Sequence, residues 1–117
     1  MSRAVTIWHN PRCSKSRGTL ELLHQRGIEP LVIDYQKNPP DARELSRVLE
    51  LLGLQPRELM RRDEPEYTQL GLDDPELTRE QLIAAMVKNP ILIQRPIVFA
   101  NDKAAIGRPP EAVLAIL

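Results

Sequence analysis

A small α/β fold built on a mixed four-stranded sheet is what this sequence predicts, and three patterns predict it. A strand-like run at 4–9 gives way to helical spacing from Ser14 and then to a second short apolar run at 31–33, the pattern of a βαβ unit. The stretch from about 41 to 90 carries helical periodicity, and two further apolar runs at 97–100 and 104–106 lie close enough to form a hairpin. With 117 residues the chain suits one domain, 1–117, with the helical stretch of about 41–90 as an insertion.

Each element has its own signal. Val5, Thr6, Ile7 and Trp8 are apolar or β-branched, and Asn10-Pro11 breaks the strand they suggest. In the helix that follows, Leu20 and Leu23 share a face with Cys13 and Ser16, and Gly27 supplies a left-handed stop, so Cys13 is expected in the first turn. Leu31–Ile33 reads as a strand buried in a parallel sheet. Asp41 with Glu44 resembles a capping box, Leu45, Val48, Leu49 and Leu52 keep the amphipathic rhythm, and Gly53 ends it. Pro56 and Pro65 suit the first turns of short helices. Thr78 with Gln81 caps a helix carrying Leu82, Ile83, Met86 and Val87 that must stop before Pro90. Asn101-Asp102-Lys103 separates the last two strands, and Pro109-Pro110 opens a final helix. The order βαβ, helical insertion, ββα is thioredoxin-like.

Composition narrows function. Sixteen basic residues balance sixteen acidic ones, so no global field favours nucleic acid or an anionic membrane surface, and any anion site must be local. The apolar run near the N-terminus is too short for a signal peptide, and no stretch approaches the roughly 20 residues of a membrane span. A cytoplasmic protein is expected. The one cysteine cannot close an intramolecular disulfide.

That cysteine is the centre of the functional expectation. The window His9-Asn10-Pro11-Arg12-Cys13-Ser14-Lys15-Ser16-Arg17 holds three cations, a histidine and no acid. A thiol there, at a helix N-terminus, meets the positive end of the macrodipole and nearby charges that favour thiolate. The same amides could receive an oxyanion. His9 either supports the thiolate or is a strand-end histidine bonded to backbone, and Ser16 either bonds the sulfur or serves its own turn. Ser16 stands where a Cys-x-x-Cys motif would carry its second cysteine, so a second thiol must come from another molecule. Arg61, Arg95 and Arg108 stand apart from this window, the last two at turns that a thioredoxin-like fold can bring near its nucleophile. Guanidinium groups suit a tetrahedral oxyanion through paired hydrogen bonds.

Other chemistries fail on spacing. A Cys-x5-Arg phosphatase loop would need arginine at position 19, which is Thr19. His9, His24 and Cys13 do not make a zinc pattern, and there is no Gly-rich nucleotide loop. No bound cofactor or metal is expected.

Taken together, His9-Asn10-Pro11-Arg12-Cys13, Ser16-Arg17, Glu58-Leu59-Met60-Arg61, Arg95-Pro96-Ile97-Val98 and Gly107-Arg108-Pro109-Pro110 resemble the glutaredoxin-coupled arsenate reductases, the ArsC family, over nearly the whole chain. The resemblance implies the thioredoxin-like fold, Cys13 as nucleophile, Arg61, Arg95 and Arg108 as the oxyanion-binding set, His9 and Ser16 as supports of the thiolate, and a cis Arg95–Pro96 bond. It also implies arsenate or a similar oxyanion as substrate, glutathione as co-substrate and glutaredoxin as partner. Ser14-Lys15 stand where the best-known members carry Gly-Thr, and the chain ends at Leu117 without their C-terminal extension, which resembles a shorter, YfgD-like branch. Two alternatives accompany this expectation: a monothiol glutathione-dependent oxidoreductase, and a non-enzymatic regulator similar to Spx.

Overall fold

The computed structural model describes residues 4–117, which form two compact units. One runs to Asn38 and resumes over Arg95–Leu117; the other is Pro39–Gln94.

In the first unit, β1 (Thr6–His9) leads into α1 (Ser14–Gln25) and β2 (Leu31–Asp34), and β3 (Ile97–Ala100) with β4 (Lys103–Ile106) follows the return. The sheet order is β2-β1-β3-β4, with β1 parallel to β2 and antiparallel to β3, and β3 antiparallel to β4. This is the mixed four-stranded sheet of the thioredoxin-like fold. Strand alternation sorts the side chains by face. Val5, Ile7, Val98 and Ala100 join Leu23 of α1 with Val113 and Ile116 in one buried cluster. Trp8 points the other way, stacked on Tyr35 with ring centroids 6.4 Å apart and tilted against Phe99 at 5.2 Å.

Three local expectations are corrected. Leu31 and Val32 are 64% and 45% exposed, because β2 is an edge strand paired only with β1 and not a strand buried on both faces. Lys103 belongs to β4, opposite Ala100, so the hairpin turn is the pair Asn101-Asp102, both with left-handed backbone (φ 54° and 60°). This is the turn whose twist matches two antiparallel strands. The closing helix Pro110–Ile116 is a 3₁₀ helix. Three residues per turn align Val113 with Ile116, and both are buried in the cluster above.

The second unit is helical, and its boundaries follow its caps. In α2 (Ala42–Leu52) the Asp41 side chain accepts from the Glu44 N–H at 2.8 Å, Glu44 reaches back, and Gly53 ends the helix with φ 67°. Pro56 and Pro65 open α3 (Pro56–Leu59) and α4 (Pro65–Gln69), and the Thr78–Gln81 capping box opens α5 (Arg79–Lys88). A 3₁₀ turn at Pro90–Leu92 follows. Leu45, Leu49, Leu59, Met60, Met86, Leu92 and Ile93 are almost wholly buried. Among the described residues no helix is long and apolar enough to cross a membrane.

Two glycines of the first unit face opposite constraints. A Cβ on Gly107 would collide with Thr19 Oγ1 and lie 2.8 Å from Pro96 Cγ, whereas one on Gly18, exposed in the middle of α1, would meet Pro110 Cγ at an ordinary 3.5 Å. Gly107→Ala is therefore expected to destabilise by about 1–3 kcal/mol through overpacking. Gly18→Ala is expected to stabilise by about 0.5–1 kcal/mol through helix propensity. Urea unfolding of the two variants should move the midpoint in opposite directions.

Candidate active site

The turn leaving β1 sets the site. Asn10 organises it: its backbone carbonyl accepts from the Cys13 N–H at 3.0 Å, its side-chain oxygen accepts from the Arg12 N–H at 3.0 Å, and its own N–H donates to Ser16 Oγ at 2.9 Å. Ser16 Oγ lies 2.6 Å from His9 Nδ1. All three side chains are buried. The hydroxyl thus pairs with both the Asn10 N–H and the imidazole, its role toward Nδ1 following the histidine tautomer. Burial lowers the His9 pKa, helped by Arg17 and opposed by Asp34 across the β1–β2 pairing. An unfolded chain would protonate this histidine near pH 6.5, before the folded one does, so the linked stability falls as pH drops through that range.

Cys13 is the N-cap of α1, one residue ahead of the first turn, with extended backbone (φ −95°, ψ 124°). Its carbonyl accepts the first helical bond, from the Arg17 N–H at 3.0 Å. The sulfur makes no formal capping hydrogen bond, yet it faces the amides of Ser16 and Lys15, groups that a helix start leaves without internal partners. Burial pushes the thiol up. The Ser16 and Lys15 amides, and a hydrogen bond and the charge from Arg95, outweigh that push and bring the pKa below its ordinary value.

The two strands after the helical unit deliver the cations. The β3–β4 ladder ends at Ile97 opposite Ile106, and the Gly107 N–H donates to the Pro96 carbonyl at 2.9 Å one step further out. The next step pairs Arg95 with Arg108: Arg108 Nε donates to the Arg95 carbonyl at 2.8 Å, and its Nη2 lies 3.7 Å from Cys13 Sγ. Arg95 is buried at 9% exposure, while Arg108 is exposed. The Arg95–Pro96 and Arg108–Pro109 bonds are both cis.

Of the residues expected from sequence, Cys13, His9, Ser16, Arg95 and Arg108 thus gather in the first unit. Arg61 belongs to the second, where its Nη1 donates to Glu64 Oε1 at 2.8 Å and its Nη2 lies 3.5 Å from Asp63 Oδ2. Two details differ from the sequence picture. Ser16 bears on the sulfur through its backbone amide, its hydroxyl being spent on His9 and Asn10. The cation that lowers the thiol is the distant Arg95 and not the adjacent Arg12, Lys15 or Arg17; Arg17 turns back to the Pro11 carbonyl at 3.0 Å. Asn10 was not singled out from sequence, although asparagine before proline at a strand end is a turn signal. Gly107 was named only as part of a block; a Cβ there would collide with Thr19 and crowd Pro96. Among the described residues no three His, Cys, Asp or Glu side chains gather as a metal-binding group.

The ArsC family model matches residues 8–116 of this chain. The chain is 55% identical to the YfgD protein of Escherichia coli (strain K12), covering 100% of this chain and 99% of that one. It is 48% identical to a protein named arsenate reductase from Neisseria meningitidis (serogroup A, serotype 4A), covering 97% of each. A solved structure of an arsenate reductase from Vibrio cholerae superposes with a TM-score of 0.98 at 49% identity, covering 100% of both chains.

Alkylation of Cys13 followed against pH should give a lower midpoint in the folded protein than in the urea-unfolded chain. Arg95→Gln should move it upward. His9→Ala should leave it closer to the wild-type value, while costing about 1–3 kcal/mol of stability through the unpaired Ser16 hydroxyl. An Arg95→Gln midpoint equal to the wild type would remove Arg95 from the thiolate's support.

Proposed function

The chain belongs to the ArsC family, and from that premise we propose that it is an arsenate reductase with Cys13 as its nucleophile, glutathione as co-substrate and glutaredoxin as final reductant. One observation carries this reading: Arg95 and Arg108 both reach the sulfur of a thiol whose pKa is lowered at a helix N-terminus. A nucleophilic anion is thereby surrounded by groups that also attract an oxyanion.

The chemistry follows from the arrangement. Arsenate approaches the sulfur against its own negative charge, and the guanidinium groups with the Ser16 and Lys15 amides offset that repulsion before reaction begins. Cys13 thiolate then forms a sulfur–arsenic bond, and an arsenic-bound oxygen leaves as water after protonation. Glutathione sulfur forms a second bond to arsenic with loss of another oxygen as water. A glutaredoxin thiolate next attacks the glutathione sulfur. The sulfur–arsenic electron pair stays on arsenic, which becomes As(III), and the two sulfurs, each oxidised by one electron, are joined as the mixed disulfide of glutaredoxin and glutathione. Water at arsenic releases arsenite and returns the Cys13 thiol. No second cysteine of this chain is needed.

His9 and Ser16 are assigned as positioning residues, acting through Asn10 and the Ser16 amide on the place of the sulfur. Arg61 joins the oxyanion-binding set on the family resemblance. No bound cofactor enters the scheme. An enzyme drawing on glutathione suits the reducing cytoplasm.

Arsenate-dependent NADPH oxidation, coupled through glutathione reductase, glutathione and glutaredoxin, should proceed with the wild type and vanish in Cys13→Ser. Arg95→Gln and Arg108→Gln should each lower kcat/KM for arsenate by about 10–100-fold, the loss of one charge-assisted contact. Turnover equal in Cys13→Ser would sink the reading, and turnover of low-molecular-weight mixed disulfides without any response to arsenate would favour a monothiol oxidoreductase.

A further inference from the structure

The scheme above needs a thiol from outside, and the fold offers a place for one. A cleft of about 390 Å³ lies against the turn that carries the nucleophile, lined by Asn10, Pro11 and Arg12 on one side and by Asp34, Gln36 and Lys37 on the other. Its volume falls within the range of small-ligand sites. Strand register explains its position: β1 and β2 run parallel with His9 opposite Asp34, so the loops leaving both strands meet at the same end of the sheet. Cys13 follows Arg12 directly and is tied to Asn10 by the 3.0 Å bond from its N–H. Cleft and nucleophile thus belong to one turn, with the cleft on the side of β2.

The charges of the cleft are not used by the fold. Among the described residues neither Arg12 nor Lys37 forms a salt bridge, and both are exposed. Neither side chain supports the Cys13 thiolate. Asp34 Oδ1 accepts from the Gln36 and Lys37 amides at 3.1 and 3.4 Å, which fixes the far wall. The cleft therefore presents two cations, one carboxylate and the Gln36 amide. Glutathione is the complement of that set, with two carboxylates, one ammonium and a thiol between them.

We infer that this cleft seats glutathione, its carboxylates on Arg12 and Lys37 and its ammonium toward Asp34, so that its thiol is delivered beside Cys13. The role of this seat rests on the reductase reading; its ligand does not. Arg12 and Lys37 are then positioning and specificity residues for the reductant, separate from the arginines that meet the oxyanion.

Two arms test this. In the first, the isotopically labelled protein is titrated with S-methylglutathione, whose blocked sulfur permits no chemistry, and amide shifts are followed by NMR. Shifts should concentrate at Asn10–Arg12 and Asp34–Lys37, and the double variant Arg12→Gln, Lys37→Gln should raise Kd about tenfold or more. In the second, arsenite formation is measured directly, with glutathione or with uncharged 2-mercaptoethanol in excess as the only small thiol and the stoichiometric reductant. The double variant should raise KM for glutathione about tenfold, with KM for arsenate and the rate with 2-mercaptoethanol held within about twofold. Shifts confined elsewhere, an unchanged Kd, or an equal deficit with both thiols would overturn the assignment. Absence of arsenate turnover alongside intact cleft binding would instead remove the reductase reading and leave the seat standing.

Discussion

Everything at this site depends on the turn between β1 and α1 being held in one shape, and three buried polar side chains hold it. Asn10, Ser16 and His9 satisfy one another and the backbone around them: the Asn10 N–H donates to the Ser16 hydroxyl, that hydroxyl pairs with the imidazole, and the Cys13 N–H donates to the Asn10 carbonyl. Buried polar groups are costly when unpaired and rigid when fully paired. Their satisfaction fixes where α1 begins, and so where its free amides aim. Were the helix to start one residue later, the sulfur would lose the Ser16 and Lys15 amides that counter the cost of its burial. Burial and the nearby Arg17 disfavour a charged His9 and together outweigh Asp34, which favours it.

The second constraint is register. A two-residue turn at Asn101-Asp102 pairs Ile97 with Ile106, and continuing that ladder outward brings Gly107 to Pro96 and Arg108 to Arg95. Two arginines thirteen residues apart in the chain thus become neighbours at one end of a hairpin. Gly107 makes the close approach possible, because any side chain there would strike Thr19 of α1 or Pro96. The cations reach the sulfur from the sheet and not from the helix that carries it, which keeps their geometry independent of the exposed side chains of α1.

Much of this was legible in the sequence. Cap residues announced α2 and α5, prolines announced α3 and α4, and the lone Cys13 beside Ser16 announced a thiol with no internal partner. Apolar runs were less informative: Leu31–Ile33 has the composition of a buried strand, but strand order, a long-range property, put it at an edge. The closing 3₁₀ helix was hidden because proline at a first turn suits either helix type. Charge proximity along the chain misled in a similar way. Arg12, Lys15 and Arg17 are sequence neighbours of the thiol, yet side chains leaving a tight turn diverge, and only the hairpin register reveals that Arg95 serves the sulfur. Their divergence also frees Arg12 for another task on the β2 side of the turn.

The central claim is that one place serves both anions: the groups that hold Cys13 as thiolate also receive the oxyanion it attacks. Protection of Cys13 from a neutral alkylating agent by arsenate, and by phosphate as a non-reducible mimic, tests this most directly. The expected result is saturable slowing by both anions in the wild type and loss of that slowing in Arg108→Gln, whose Cys13 remains alkylatable. Alkylation at the same rate with and without either anion, or protection unchanged in Arg108→Gln, would contradict it.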